Sequence, residues 1–154
     1  VGAGNSAGRI IFIDNQNYNN GIQLNQINGP ESDLPVTFIF SALKPVVLTG
    51  TITGNVRMFF AGDFQFGMGT ETVAYNGLTM FMSNGDMKIC SSIWSYKNNP
   101  GGGFLSSDKD ITIVESASFQ GQIQCRGNFK TSGLIQFNDS VLKAPGFTVP
   151  KGMK

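Results

Sequence analysis

A chain of 154 residues fits one domain, and a domain of this size buries roughly 70% of the surface its unfolded chain exposes, so a core can form without staples. Hydrophobic residues make up 40% but charged residues only 14%, with 11 Lys+Arg balancing 10 Asp+Glu, so solubility rests on neutral polar groups and the dispersed basic residues leave no footprint for nucleic acid. No window approaches a membrane-spanning apolar helix, and the absence of histidine removes the commonest general base, the Ser-His and Cys-His nucleophile pairs and the usual zinc ligand.

Residues 1–8 read as a flexible connector or the end of an upstream region, without a signal peptide, and residues 9–154 as a single all-β domain. Ile10, Ile11, Phe12 and Ile13 form a short strand closed by an Asn-rich turn, and residues 21–28 alternate through Ile22, Leu24 and Ile27 with one slip. Residues 36–40 are β-branched and aromatic. Pro35 and Pro45 bound them, which suits a sheet edge or strand end. In residues 46–60, Gly50 and Gly54 mark bends, bulges or close backbone contacts. Tyr75-Asn76-Gly77-Leu78 and Ser83-Asn84-Gly85-Asp86 carry the Asn-Gly signal of a tight hairpin, so a meander over 71–75, 78–82 and 87–96 is expected.

Residues 97–108 read as the longest loop. Gly101, Gly102 and Gly103 could cradle an anion, but the phosphate-loop pattern and a following helix are missing, and a flexible surface loop is the plainer reading. After a strand at 111–115, residues 119–130 (F-Q-G-Q-I-Q-C-R-G-N-F-K) alternate without a slip and read as one long, half-buried strand. Phe119, Gly121, Ile123, Cys125, Gly127 and Phe129 share its apolar face, where the glycines accept close approach from a neighbouring backbone or subunit. Its other face, from Gln120 through Gln122, Gln124, Arg126 and Asn128 to Lys130, is either a ligand-facing ladder or the ordinary solvent side. Arg126 and Lys130 could there meet one phosphate or sulfate. A turn at Thr131-Ser132-Gly133 and a strand at 134–137 lead to an extended tail.

No convincing amphipathic helix occurs, and turn signals every 8 to 12 residues or so suit an all-β sandwich, barrel or β-helix-like domain. Gly62-Asp63-Phe64-Gln65, Ser118-Phe119-Gln120-Gly121 and Gly127-Asn128-Phe129-Lys130 echo one another without a fixed period, too irregularly for a repeat array.

Cys90 and Cys125 lack metal-site spacing and read as buried free thiols. Glu31-Ser32-Asp33 and Asp108-Lys109-Asp110 could supply a carboxylate pair or a calcium ligand, although solvated turn acids are the plainer reading, and Asp63 is the acid expected to be partly buried. No catalytic residue, metal site or cofactor is assigned. Trp94 and Tyr96 alternate with Cys90 and Ser92; their rings would either cover the apolar faces of sugars or belong to the core. The candidate ligand-binding residues are therefore Trp94, Tyr96, Gln122, Gln124, Arg126 and Lys130. Met58-Phe59-Phe60, Phe64, Phe66, Met68, Met80-Phe81-Met82 and Met87 need cover on both strand faces, which favours a homo-oligomer.

The charge-poor Asn/Gln/Thr/Ser/Gly strands at 21–28, 46–55 and 118–130, the Gly-rich connector at 1–8 and the absent helices resemble, in composition, the receptor-binding ends of bacteriophage tail fibres and tailspikes. The resemblance implies an intertwined or side-by-side homotrimer at a virion surface or other extracellular site, binding a host cell-surface carbohydrate or protein, without membrane insertion. It assigns no site residues. The function expected is thus non-enzymatic attachment. The alternatives are a polysaccharide-degrading domain working through paired carboxylates, and a purely structural trimerisation, pilus or coat module.

Overall fold

A computed structural model describes residues 7–25, 27–30, 35–49, 52–68, 79–93, 103–114 and 117–137. In chain order the strands are β1 (Ile10–Ile13), β2 (Ile22–Leu24), β3 (Ile27–Asn28), β4 (Val36–Phe40), β5 (Val46–Leu48), β6 (Ile52–Thr53), β7 (Val56–Phe60), β8 (Phe64–Phe66) and β9 (Thr79–Ser83). Then come β10 (Met87–Ile89), β11 (Gly103–Ser107), β12 (Ile111–Ile113), β13 (Ser118–Cys125), β14 (Phe129–Thr131) and β15 (Leu134–Phe137). The all-β expectation holds among the described residues.

Among the described strands the pairing is parallel throughout. A seven-stranded sheet runs β1-β4-β7-β9-β11-β13-β15, a six-stranded sheet runs β14-β12-β10-β8-β5-β2, and β3 pairs with β6. From β7 onward successive strands alternate between the two large sheets, so the chain winds coil upon coil, each coil hydrogen-bonding the one before. Ile10 pairs with Thr37, Val36 with Val56, Val56 with Thr79, Gly103 with Thr79 and with Gly121, and Ser118 with Leu134; the offsets are 27, 20, 23, 24, 18 and 16 residues.

This winding corrects three expectations. Ser83-Asn84-Gly85-Asp86 is no hairpin: Asn84, Gly85 and Asp86 form a corner carrying the chain from β9 in one sheet to β10 in the other. The same small, polar residues that fold a tight hairpin also serve a sharp corner, and the sequence signal cannot separate them. Residues 119–130 are not one strand, because Arg126-Gly127-Asn128 is the equivalent corner between β13 and β14. The loop expected at 97–108 gives way at Gly103 to a strand with a largely buried course. The turn at Tyr75-Asn76-Gly77-Leu78 and residues 97–102 lie outside the described residues.

Between the large sheets lies one core. Val36, Phe38 and Phe40 from β4, Val56, Met58 and Phe60 from β7, and Phe64 and Phe66 from β8 are buried, with Phe81, Leu105 and Phe119 continuing inward from the later coils. Alternate residues of a strand face opposite sides, so these short apolar runs fill the interior while Ile39 and Phe59 turn outward. Phe60 stacks on Phe40 with ring centroids 5.2 Å apart and on Phe64 at 3.9 Å, and Phe81 tilts against Phe64 at 4.7 Å. Each such pair adds about 0.5–1.5 kcal/mol beyond the area it buries.

At the corners the coils are tied by side chains. Asp63 Oδ1 accepts the backbone N–H of Asp86 at 2.9 Å, Asp86 Oδ1 that of Asp110 at 3.2 Å, and Asp110 Oδ1 that of Asn128 at 2.8 Å. Beside this column runs another. Ser83 Oγ donates to the Gly62 carbonyl at 2.7 Å, Ser107 Oγ to the Gly85 carbonyl at 2.6 Å, and the Cys125 thiol to the Lys109 carbonyl at 3.0 Å. The hydroxyls of Ser83 and Ser107 also accept the N–H groups of Gly85 and Lys109, each at 2.9 Å. Asp63, expected to be partly buried, is exposed because the ladder forms on the outside of the corner. Cys90 is buried and outside any disulfide, whereas Cys125, the last residue of β13, is likewise unbridged but only half-buried.

Gly121, with φ +141°, sits where its strand passes close to Gly103 in the preceding coil; a Cβ there would strike the Gly103 carbonyl oxygen. The close backbone approach expected on that face is thus real, and intramolecular.

Candidate functional site: a groove across the seven-stranded sheet

Because the strands are in register, outward residues line up across the coils. One row runs Ile39, Phe59, Met82, Ser106 and Gln124 over β4, β7, β9, β11 and β13. At a strand spacing of about 4.8 Å its ends stand roughly 19 Å apart. Beside it lies a second row, the first corner residue after each strand: Ser41, Ala61, Asn84, Asp108 and Arg126. Their backbone N–H groups continue the sheet pairing, Ala61 to the Phe40 carbonyl and Asn84 to that of Phe60, both at 3.0 Å, and Arg126 to that of Ser107 at 3.1 Å. The two rows enclose an open groove of about 400 Å³.

The groove changes character along its length. Over the early coils it is floored by Ile39, Phe59 and Met82, all half-buried. From the β9 coil onward, where Asn84 stands beside Met82, the residues Asn84, Ser106, Gln124, Asp108 and Arg126 present amide, hydroxyl and charged groups. Arg126 Nε lies 3.6 Å from Asp108 Oδ1, with both side chains largely solvated, so this pair contributes little stability, about 0–1 kcal/mol, and is free to exchange partners. Among the described residues lining the groove, Asp108 alone carries a carboxylate.

Of the six residues expected to bind ligand, Gln124 and Arg126 line this groove. Gln122 belongs to the neighbouring outward row, in register with Phe104. Lys130 is on β14 in the other sheet, beside Thr112, so Arg126 and Lys130 do not share a strand face; the corner between them turns the chain away. Trp94 and Tyr96 lie outside the described residues. Phe59, Met82 and Ser106 were not anticipated as site residues. They stand in apolar or serine-rich runs that look like core, and only the parallel register reveals that they face outward together.

A smaller hollow of about 270 Å³ lies on the six-stranded sheet by Val47, Gln65, Asp63, Asp86 and Lys88. Its two carboxylates are already engaged in the corner ladder. No protein family, curated protein or solved structure matches the chain.

Proposed function

We propose that the protein is a non-enzymatic attachment module, of the kind carried on a virion fibre or spike, that binds a cell-surface glycan along this groove. The observation that carries the reading is the graded lining: an apolar floor at Ile39, Phe59 and Met82 running into the hydroxyl and amide groups of Ser106, Asn84 and Gln124. Sugars offer both kinds of surface, flat C–H patches for the aromatic ring and hydroxyls for the polar end, and a rigid sheet holds the two at fixed spacing. The β-helix-like coil also suits a shaft-mounted tip. Apolar side chains at its last coils, Phe129, Leu134 and Phe137, are exposed and favour burial against other copies of the chain, which in this reading form a homotrimer.

Binding of polysaccharide fragments, followed by calorimetry in the wild-type chain and in Phe59→Ala and Gln124→Ala, tests the proposal. Each substitution is expected to weaken binding by roughly tenfold, the effect of losing a stacked ring or a buried hydrogen bond. Equal affinity in all three proteins would overturn the groove as the site. Release of oligosaccharides during the incubation, lost in Asp108→Asn, would replace attachment by catalysis. Light scattering reports the assembly: a monomer at micromolar concentration contradicts the trimer.

A further inference from the structure

One step along the strands from the groove lies a second outward row, in which Ile10, Thr37, Arg57, Met80, Phe104 and Gln122 are in register. Unlike the groove floor, three members of this row are covered, Thr37 at 5% exposed, Met80 at 1% and Phe104 at 6%, while Ile10 at the row's end is 60% exposed. Two of its polar atoms are orphaned. Thr37 Oγ1 and Arg57 Nε are buried with no hydrogen-bond partner, although buried polar groups are nearly always paired and an unpaired one costs about 1–3 kcal/mol, more when charged.

The two orphans are neighbours. Thr37 and Arg57 are paired residues of β4 and β7, so their Cα atoms are about one strand spacing apart and their side chains leave the sheet on the same face. Both can donate, the guanidinium only donate. What the pair lacks is one shared acceptor, and the charge of Arg57 selects a negative one. Arg57 as a whole is only half-buried, its Nε being among the covered atoms. Arg57 also precedes the groove-floor residue Phe59 by two positions on the same strand face, roughly 7 Å away.

We propose that Arg57 and Thr37 form a subsite for an anionic oxygen group, a carboxylate or sulfate, carried by the ligand whose apolar face rests on Phe59. The identification of that ligand as a sugar rests on the glycan-binding reading above; the anion subsite itself does not. The guanidinium Nε–H and the Thr37 hydroxyl converge on one anionic oxygen, and the glycan class is thereby narrowed to acidic sugars.

The test uses the full chain, sodium sulfate, glucuronic acid methyl glycoside and neutral methyl glucoside at matched ionic strength. The Arg57 Nε–H resonance, assigned by its loss in Arg57→Gln, is followed by NMR. Sulfate and the glucuronide are expected to shift this resonance saturably. Arg57→Gln should weaken glucuronide binding by roughly tenfold or more and Thr37→Val severalfold, with methyl glucoside unaffected by either. Arg57→Lys keeps the charge without the Nε–H; it should fall between, and it serves should the glutamine variant not fold. A resonance unmoved by both anions, or glucuronide binding unchanged in Arg57→Gln and Arg57→Lys, overturns the subsite. If sulfate alone binds through Arg57, the anion subsite stands and the glycan reading is weakened. If Phe59→Ala weakens the neutral glucoside while the Arg57 variants bind all probes normally, the groove stands and this subsite falls.

Discussion

Replacing Asp86 separates the two opposed effects of the corner ladder. The carboxylate of Asp86 accepts the Asp110 N–H at 3.2 Å and stands between the carboxylates of Asp63 and Asp110 in the column. Asp86→Ala removes the acceptor. The freed N–H is near solvent, so losing this bond to a charged acceptor costs about 1.5–3 kcal/mol. The charge goes with it, however, and the repulsion between neighbouring carboxylates is relieved as fully as in the asparagine variant. Asp86→Ala should therefore lie below Asp86→Asn by the worth of one neutral hydrogen bond, about 1 kcal/mol, at either salt concentration. Asp86→Asn keeps an oxygen in place and removes a charge. With carboxylates one strand spacing apart, about 4.8 Å, each repulsion relieved is roughly 0.9 kcal/mol in bulk water, and there are two. At 0.15 M salt about half of that survives screening. Allowing for a weaker neutral hydrogen bond, Asp86→Asn should stabilise the protein by about 0.5–1 kcal/mol at low salt and by little at 0.5 M. The fourth rung of the ladder already carries this residue type, as Asn128. Urea unfolding of the wild type and both variants at 10 mM and 0.5 M sodium chloride measures the differences. An asparagine variant as unstable as the alanine one, or a gain indifferent to salt, would refute the account of the column as an acceptor ladder held against its own charge.

In the neighbouring column, Ser107→Ala leaves the Gly85 carbonyl and the Lys109 N–H without their hydroxyl and should cost about 1–3 kcal/mol in the same assay, whereas Cys125→Ser supplies a better donor to the Lys109 carbonyl and should be neutral to mildly stabilising. Gly121→Ala meets both an unfavourable φ and the Gly103 backbone, so loss of cooperative unfolding by circular dichroism is expected. Asn15→Ala breaks the buried amide that accepts the Ala42 N–H at 2.8 Å and donates to the Lys44 carbonyl at 3.3 Å and the Ala42 carbonyl at 3.4 Å; thermal denaturation should show a loss of about 2–4 kcal/mol, since three backbone groups lose their partner. Arg126→Ala should leave stability within about 0.5 kcal/mol, because its ion pair is solvated, so any loss of ligand affinity in that variant is a direct contact.

Strand character was legible in the β-branched and aromatic run Val36–Phe40 and in the alternation over Ser118–Cys125, although that alternation ran on unbroken through the corner at Arg126-Gly127-Asn128. Direction was not. Parallel and antiparallel strands of a two-sheet core show the same alternation inward and outward, and Asn84-Gly85 serves a corner as readily as a hairpin. The echo between Gly62-Asp63-Phe64-Gln65 and Gly127-Asn128-Phe129-Lys130 was a true one, both being corners leading into the six-stranded sheet. Ser118-Phe119-Gln120-Gly121 did not belong with them, and the intermediate members Asn84-Gly85-Asp86-Met87 and Asp108-Lys109-Asp110-Ile111 were disguised by substitution of Phe by Met or Ile and of Gly85 by Lys109. Coil offsets that vary from 27 to 16 residues hid the repeat. The polar end of the groove was visible in Gln124 and Arg126, but its apolar end was not, since Phe59 and Met82 become neighbours only through pairing between coils.

Those unequal offsets set how the molecule would respond to force. Pulled apart along the axis of the winding, each coil is held by the sheet hydrogen bonds, corner ladders and core packing to the coil beside it, so it peels away as a separate event. The length released is that coil's own contour: about 90 Å for the 27-residue offset at the β1 end but only about 55 Å for the 16-residue offset at the β15 end. The order of step sizes in a force trace would therefore reveal from which end the winding gives way.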